Sequence, residues 1–196
     1  MCQIQAMSDI ELLALMVGPK TAQEMLKKSS GSIAALLNES IAAYEPKPKV
    51  KIRLHAAKEL VRRSLHEALR QRSCLSSPAA VRDFLRVTLD GREHEVFVVV
   101  FLDAQNRVIA TEEMFRGTLT QTSVFPREIV KRALFLNAAA VIFAHNHPSG
   151  VAEPSRADEA LTQTLKHTLA LVDVKVLDHF VVGGGAAMSF AERGLL

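Results

Sequence analysis

Three side chains able to bind a metal ion fall within fourteen positions of one another: His145, His147 and Asp158. The run before them, Ala138 to Ala144, is continuously apolar and reads as a buried strand. If that strand reaches His145, its period of two puts His145 and His147 on one face and turns Asn146 away. Pro148 cannot donate to a ladder and ends the strand. The loop from Ser149 to Pro154 folds the chain back. Ser155 then reads as a helix N-cap, with Asp158 in the first turn. Two imidazoles from a strand end and one carboxylate from a helix start can converge on one ion. Three protein ligands and an open position are the pattern of a catalytic zinc, one ion per chain. A His-x-His pair alone is also common among surface or hydrogen-bonded histidines. Ser-x-x-Asp alone is also a helix-capping arrangement. The weight lies on their combination in one strand–loop–helix unit.

Hydrolysis at such a site needs a group to carry a proton from water to the leaving atom. Glu95 opens the segment Glu95 to Asp103, the strongest strand signal in the chain. It precedes His145 by 50 residues, enough for a second strand, a loop and a helix between them. Glu93 faces the same way on an extended chain, and spacing alone leaves both open.

The pattern of a glutamate, His-x-His-Pro, then Ser-x-x-Asp resembles the JAMM (MPN+) metalloprotease signature. More closely, His145 to Gly150 with Pro154, Ser155 and Asp158 resembles the RadC family of bacterial proteins. Phe125-Pro126-Arg127-Glu128, Asn137-Ala138-Ala139, Leu177-Asp178-His179, Ser189-Phe190 and the ending Gly194-Leu195-Leu196 add to the resemblance. It covers residues 76–196 well and the earlier region weakly. The resemblance implies that His145, His147 and Asp158 are zinc ligands and that Glu95, rather than Glu93, is the general base. It implies that Ser155 helps stabilise the oxyanion of the transition state. Every position of the motif is intact here. The family takes its name from DNA repair, but the site chemistry is that of a peptide or isopeptide hydrolase, and function follows the site.

Composition sets the frame. Of 196 residues, 48% are hydrophobic and 23% charged, the balance of a globular protein with one good domain and a small appendage. No apolar stretch approaches the length of a membrane span, so no membrane partner is expected. The N-terminus lacks a basic flank and an apolar signal core. Cys2 and Cys74 lie far apart with no ligand-like neighbours and read as free thiols of a cytoplasmic protein.

Charge divides the chain in two. Residues 1–75 carry twelve Lys and Arg against seven Asp and Glu, a balance of +5; residues 76–196 carry twelve against fourteen, a balance of −2. Ser73 to Pro78 reads as the linker. The first part, 1–75, reads as a small helical domain. Helices are expected over Asp9–Met16, Thr21–Lys28, Ser32–Leu37 and Arg53–Leu69, the last with a stripe of Leu54, Ala57, Val61, Leu65 and Ala68. In RadC relatives this region resembles a helix-hairpin-helix module that binds the DNA backbone through a glycine-rich turn. The corresponding stretch here, Glu45 to Arg53, has no glycine.

The second part, 76–196, alternates β and α. Strands are expected over Val96–Asp103, Arg107–Phe115, Val141–His147, Val174–Val176 and Asp178–Val182. Helices are expected over Ala79–Leu89, Pro126–Leu136 and Ser155–Leu171. The fold class is α/β, a mixed sheet flanked by helices. The JAMM resemblance sharpens it to a curved MPN-like sheet with the zinc at one rim. Asp178 and His179 read either as a buried structural pair at a strand start or as residues standing behind the metal.

Two functional classes follow. One is a zinc metallohydrolase acting on a peptide or protein substrate. The other is a nucleic-acid-associated accessory protein whose metal is structural. Two histidines and a carboxylate also suit Fe(II), but iron oxygenases of that kind sit in all-β barrels. The basic first part, lacking the glycine turn, predicts weak, sequence-indifferent DNA binding. Titration of duplex DNA at rising salt should show affinity falling steeply. Tight binding that survives high salt would overturn this.

Overall fold

The computed structural model describes residues 3–33, 36, 48–71, 73–74, 78–117 and 123–196. The chain divides into two compact units, Met1–Val61 and Arg62–Leu196.

In the first unit a 3-10 turn, Gln3–Ala6, leads into helix α1, Asp9–Val17, and helix α2, Pro19–Lys28. Ser8 caps α1, and its backbone N–H donates to Glu11 Oε2 at 2.7 Å, closing a capping box. Gly18, at φ 89°, ends α1, and Pro19 opens α2 where its missing N–H leaves nothing unsatisfied. Helix α3 runs from Pro48 to Gln71 and passes through the division between the units. Leu13, Val17, Ala22, Met25, Val50 and Leu54 form the core of the first unit.

Helix α3 starts five residues before the expected Arg53, because a proline is tolerated in the first turn. So Pro48–Arg53 is helix; Glu45 to Lys47 lie outside the described residues, as do residues 34, 35 and 37 of the helix expected over Ser32–Leu37. The single stripe expected along α3 is also corrected. Leu54 is buried in the first unit and Leu69 in the second, while Val61 and Ala68 are exposed. A helix that serves two cores does not keep one buried face along its length.

The second unit is a mixed α/β structure. It contains helix α4 (Pro78–Leu89), strands β1 (Val96–Leu102) and β2 (Val108–Arg116), helix α5 (Pro126–Phe135) and strand β3 (Ala140–Asn146). Helix α6 (Arg156–Ala170) and strands β4 (Lys175–Gly183) and β5 (Ala186–Ser189) complete it. The five strands lie in the order β2-β1-β3-β4-β5. Only the β3–β4 pair is parallel, and α6 supplies the crossover such a pair requires.

β1 and β3 are buried along their whole length, which explains their unbroken apolar runs. Val96, Val98, Val100, Ile142 and Ala144 pack towards Phe84, Leu85 and Leu89 of α4. Phe97, Val99, Phe101, Val141 and Phe143 pack towards Ile129 of α5 and Leu165 and Leu169 of α6. Alternate residues of one strand thus feed opposite cores.

The sequence pattern split the fourth strand at Leu177; in the structure β4 is continuous. Val141 pairs with Val176 and Ile142 with Asp178, so Leu177 is the extra residue of a bulge. The hairpin strand β5 was not anticipated. Cys74 is buried with a free thiol, which burial pushes up to about 11; Cys2 lies outside the described residues. Among the described residues, no helix is long and apolar enough to cross a membrane.

Phe101 is fully buried between β1 and the α5–α6 layer, whereas Leu171 is 85% exposed. Phe101→Ala should therefore cost about 3–5 kcal/mol in denaturant unfolding. Leu171→Ala should stay within about 0.5 kcal/mol. Equal effects from the two would contradict this burial assignment.

Candidate metal centre

Strand β3 delivers His145 on the face that packs against α6. The expected strand stopped at His147, but β3 ends one residue earlier, at Asn146. His147 keeps the strand's direction because its N–H donates to the Val182 carbonyl at 2.9 Å. The two imidazoles meet with ring centroids 4.8 Å apart. The loop after Pro148 then returns to Ser155, the N-cap of α6.

Two contacts hold that loop. Gly150 lies directly on the turn between β4 and β5. A Cβ at Gly183 would stand 2.9 Å from the Gly150 carbonyl carbon, and one at Gly184 would stand 2.6 Å from its oxygen. Only a bare backbone permits this approach. Arg193 also forks onto Glu153, with Nη2 2.7 Å from Oε1.

His145, His147 and Asp158 each offer one ligand atom, and these atoms lie within 4.8 Å of one another. His145 Nε2 is 3.0 Å from His147 Nε2. Asp158 Oδ1 is 3.4 Å from His145 Nε2, and Oδ2 is 3.5 Å from His147 Nε2. His147 Nδ1 sits 2.9 Å from the Val151 carbonyl, which can only accept, so the ring proton is there and Nε2 presents a lone pair. When both rings are neutral and present lone pairs here, two ring nitrogens and a carboxylate repel one another. A cation between them relieves that repulsion, and two nitrogens with one oxygen suit zinc or another borderline metal.

Electrostatics agree with the geometry. The His147 imidazole is raised above its ordinary value, first by its hydrogen bond to the Asp158 carboxylate, with burial opposing and the Glu95 charge adding to the rise. For Asp158, burial acts to raise the carboxyl. The hydrogen bonds with His145 and His147, the charge of His145 and the Ser155 hydroxyl outweigh it and hold the carboxyl below the usual carboxylate range.

Ser155 is the N-cap of α6, as its spacing suggested. Its hydroxyl donates to Asp158 Oδ2 at 2.6 Å, and its backbone N–H donates to the same oxygen at 2.7 Å. The capping box and the metal-facing carboxylate are therefore one arrangement. Glu95 directly precedes β1, and its carbonyl accepts from the Gly117 N–H at 2.8 Å. Its charge reaches His147, while Glu93 is exposed.

Sequence reasoning missed one participant and left another undecided. Asn146 points away from the metal side, as the period of two required, and it has a task there. Its Oδ1 accepts from the Val96 N–H at 2.8 Å, and its Nδ2 donates to the His94 carbonyl at 3.0 Å. It thus fixes the segment that carries Glu95. Its place between two candidate ligands was the available signal. Asp178 and His179 part company. Asp178 accepts from the Ser189 hydroxyl at 2.6 Å and the Ala191 N–H at 3.0 Å, a structural role. His179 is fully buried, and its Nε2 lies 2.9 Å from His145 Nδ1. Burial holds the His179 imidazole well below its ordinary value.

Residues 75–195 match the family model described as a RadC-like JAB domain. A UPF0758 protein of Nitrosospira multiformis is 55% identical, over 97% of this chain and 90% of the relative. One from Polaromonas sp. is 56% identical over the same shares, and one from Chromobacterium violaceum 52%.

Asn146→Ala should leave the buried Val96 N–H without its partner and lower stability by about 1–3 kcal/mol. Metal stoichiometry should not change, because the metal face of β3 is untouched. Denaturant unfolding paired with elemental analysis reads both quantities. An unchanged stability would show that the clamp carries no weight.

Proposed function

Because the chain belongs to the RadC-like JAB domain family, we propose that it is a zinc-dependent hydrolase cleaving a peptide or isopeptide bond. The observation that carries this reading is the convergence of His145 Nε2, His147 Nε2 and the Asp158 carboxylate, whose ligand atoms lie within 4.8 Å of one another. Three protein ligands leave a coordination position open. Zinc held there would supply Lewis-acid polarisation of a carbonyl and a more acidic water.

The chain's own residues do the rest. Glu95, fixed at the mouth of β1 by Asn146 and Gly117, accepts a proton from the attacking water and passes it to the leaving nitrogen. The electrostatic reach of Glu95 to His147, and not mere sequence position, supports this role. Ser155 is the donor for the developing oxyanion. Its hydroxyl proton is aimed at Asp158 Oδ2, so it must turn from that oxygen to serve a substrate. The Ser155 backbone N–H stays on Asp158 Oδ2 meanwhile, so the carboxylate is not set loose.

The test separates ligand from base. The wild type should carry about one zinc per chain, and Asp158→Ala should lose it or bind it far more weakly. Glu95→Gln is nearly isosteric but cannot take a proton. It should keep its zinc while hydrolysis falls by about 10²–10⁴-fold on a substrate found by peptide-library screening. Glu93→Gln should change neither. Iron in place of zinc, full turnover in Glu95→Gln, or zinc loss in that variant would each count against the assignment.

A further inference from the structure

Behind the candidate ligands lies a buried chain of polar groups that the proposed reaction does not use. Thr162 of α6 and His179 of β4 are both fully buried. Thr162 Oγ1 is 2.6 Å from the Asp158 carbonyl oxygen and 2.6 Å from His179 Nδ1. His179 Nε2 is in turn 2.9 Å from His145 Nδ1. Phe97, Phe143 and Phe190 wall the His179 ring, with centroids at 5.5, 5.8 and 4.8 Å.

With the His179 ring neutral among the phenylalanines, the direction of every proton in this chain follows from one fact. A carbonyl oxygen only accepts, so the single hydroxyl proton of Thr162 goes to the Asp158 carbonyl. The Thr162 oxygen must then accept from His179 Nδ1–H. A neutral imidazole protonated at Nδ1 presents a lone pair at Nε2, which accepts from His145 Nδ1–H. That leaves His145 Nε2 without a proton, facing His147 and Asp158. In the reverse direction Thr162 would donate to His179. Two oxygens would then stand 2.6 Å apart with no proton between them, and His145 would carry its proton on the metal side.

We infer that Thr162 and His179 are positioning residues that fix His145 in the tautomer able to ligate a metal, before any metal arrives. This inference rests on the metal reading above. It goes beyond it by assigning two residues that touch neither metal nor substrate. Partners behind a metal-binding histidine commonly set its tautomer and orientation in this way.

The test uses the full chain. Long-range ¹H–¹⁵N spectra of the metal-free wild type should show the His179 proton on Nδ1 and Nε2 bare. Zinc affinity is then read by competition with a chromophoric chelator. Thr162→Val keeps the shape of the side chain but removes the hydroxyl, and affinity should fall about 10–100-fold. Thr162→Ser keeps the hydroxyl and should restore wild-type affinity and the Nδ1–H tautomer. A wild type with its His179 proton on Nε2 would overturn the relay whatever the variants do. So would a folded Thr162→Val with unchanged zinc affinity, or a folded Thr162→Ser as weak as the valine variant. A wild type that binds no zinc at all would sink the metal reading and this inference together. Zinc binding with the wrong His179 tautomer would sink the inference alone.

Discussion

Strand β3 is paired on both edges, antiparallel to β1 and parallel to β4, and is buried along its whole length. From that constraint the rest of the site follows. A strand held on both sides cannot slip by one residue without turning every side chain to the wrong core. His145 is therefore committed to the α6 face and Asn146 to the opposite face. One faces the candidate metal position and the other holds the segment bearing Glu95. The parallel pairing with β4 also requires a crossover, and the crossover helix begins where Asp158 is needed. Fold and site are a single geometric solution here.

Much of this is legible in the residues alone, and the reason is local. The Val/Phe run of β1, the apolar run of β3, Pro148 and the Ser155 cap act within a few residues of themselves. So do the breaks at Gly18-Pro19 that separate α1 from α2. The His145, His147 and Asp158 cluster was legible for the same reason, since all three lie on one strand–loop–helix unit. What escaped was long-range. Asn146 reaches His94 and Val96 some fifty residues away, and His179 reaches His145 across thirty-four. Residue type at one position carries no mark of such a partner. The bulge at Leu177 and the short β5 escaped because pairing, not propensity, creates them. The close approach of Gly150 to Gly183 and Gly184 is of this kind too. The three adjacent glycines mark a turn in sequence, but not what rests upon it.

The chain also separates charge from chemistry. The basic excess belongs to residues 1–75, whereas every residue of the candidate site lies between Glu95 and His179. A glycine-free helical segment at Pro48–Arg53 offers side-chain cations but no bare turn for close backbone contact with phosphate. The hydrolase reading therefore does not depend on whether the first unit meets nucleic acid. It depends on donors that the second unit assembles from its own strands and helix.

Asp158 is where the constraints concentrate. Its side chain closes the capping box of α6 and faces both imidazoles. Its carbonyl accepts the Thr162 proton that sets the direction of the buried relay. A carboxylate in the first turn of a helix is favoured by the positive end of the helix dipole, which helps keep it ionised. Cap, candidate ligand and relay terminus thus reside in one residue. Fixing its backbone fixes the side chain towards the candidate metal position and the proton of the histidine opposite at the same time. The arrangement needs no dedicated scaffold, because the groups that start the helix are the groups that would bind the ion.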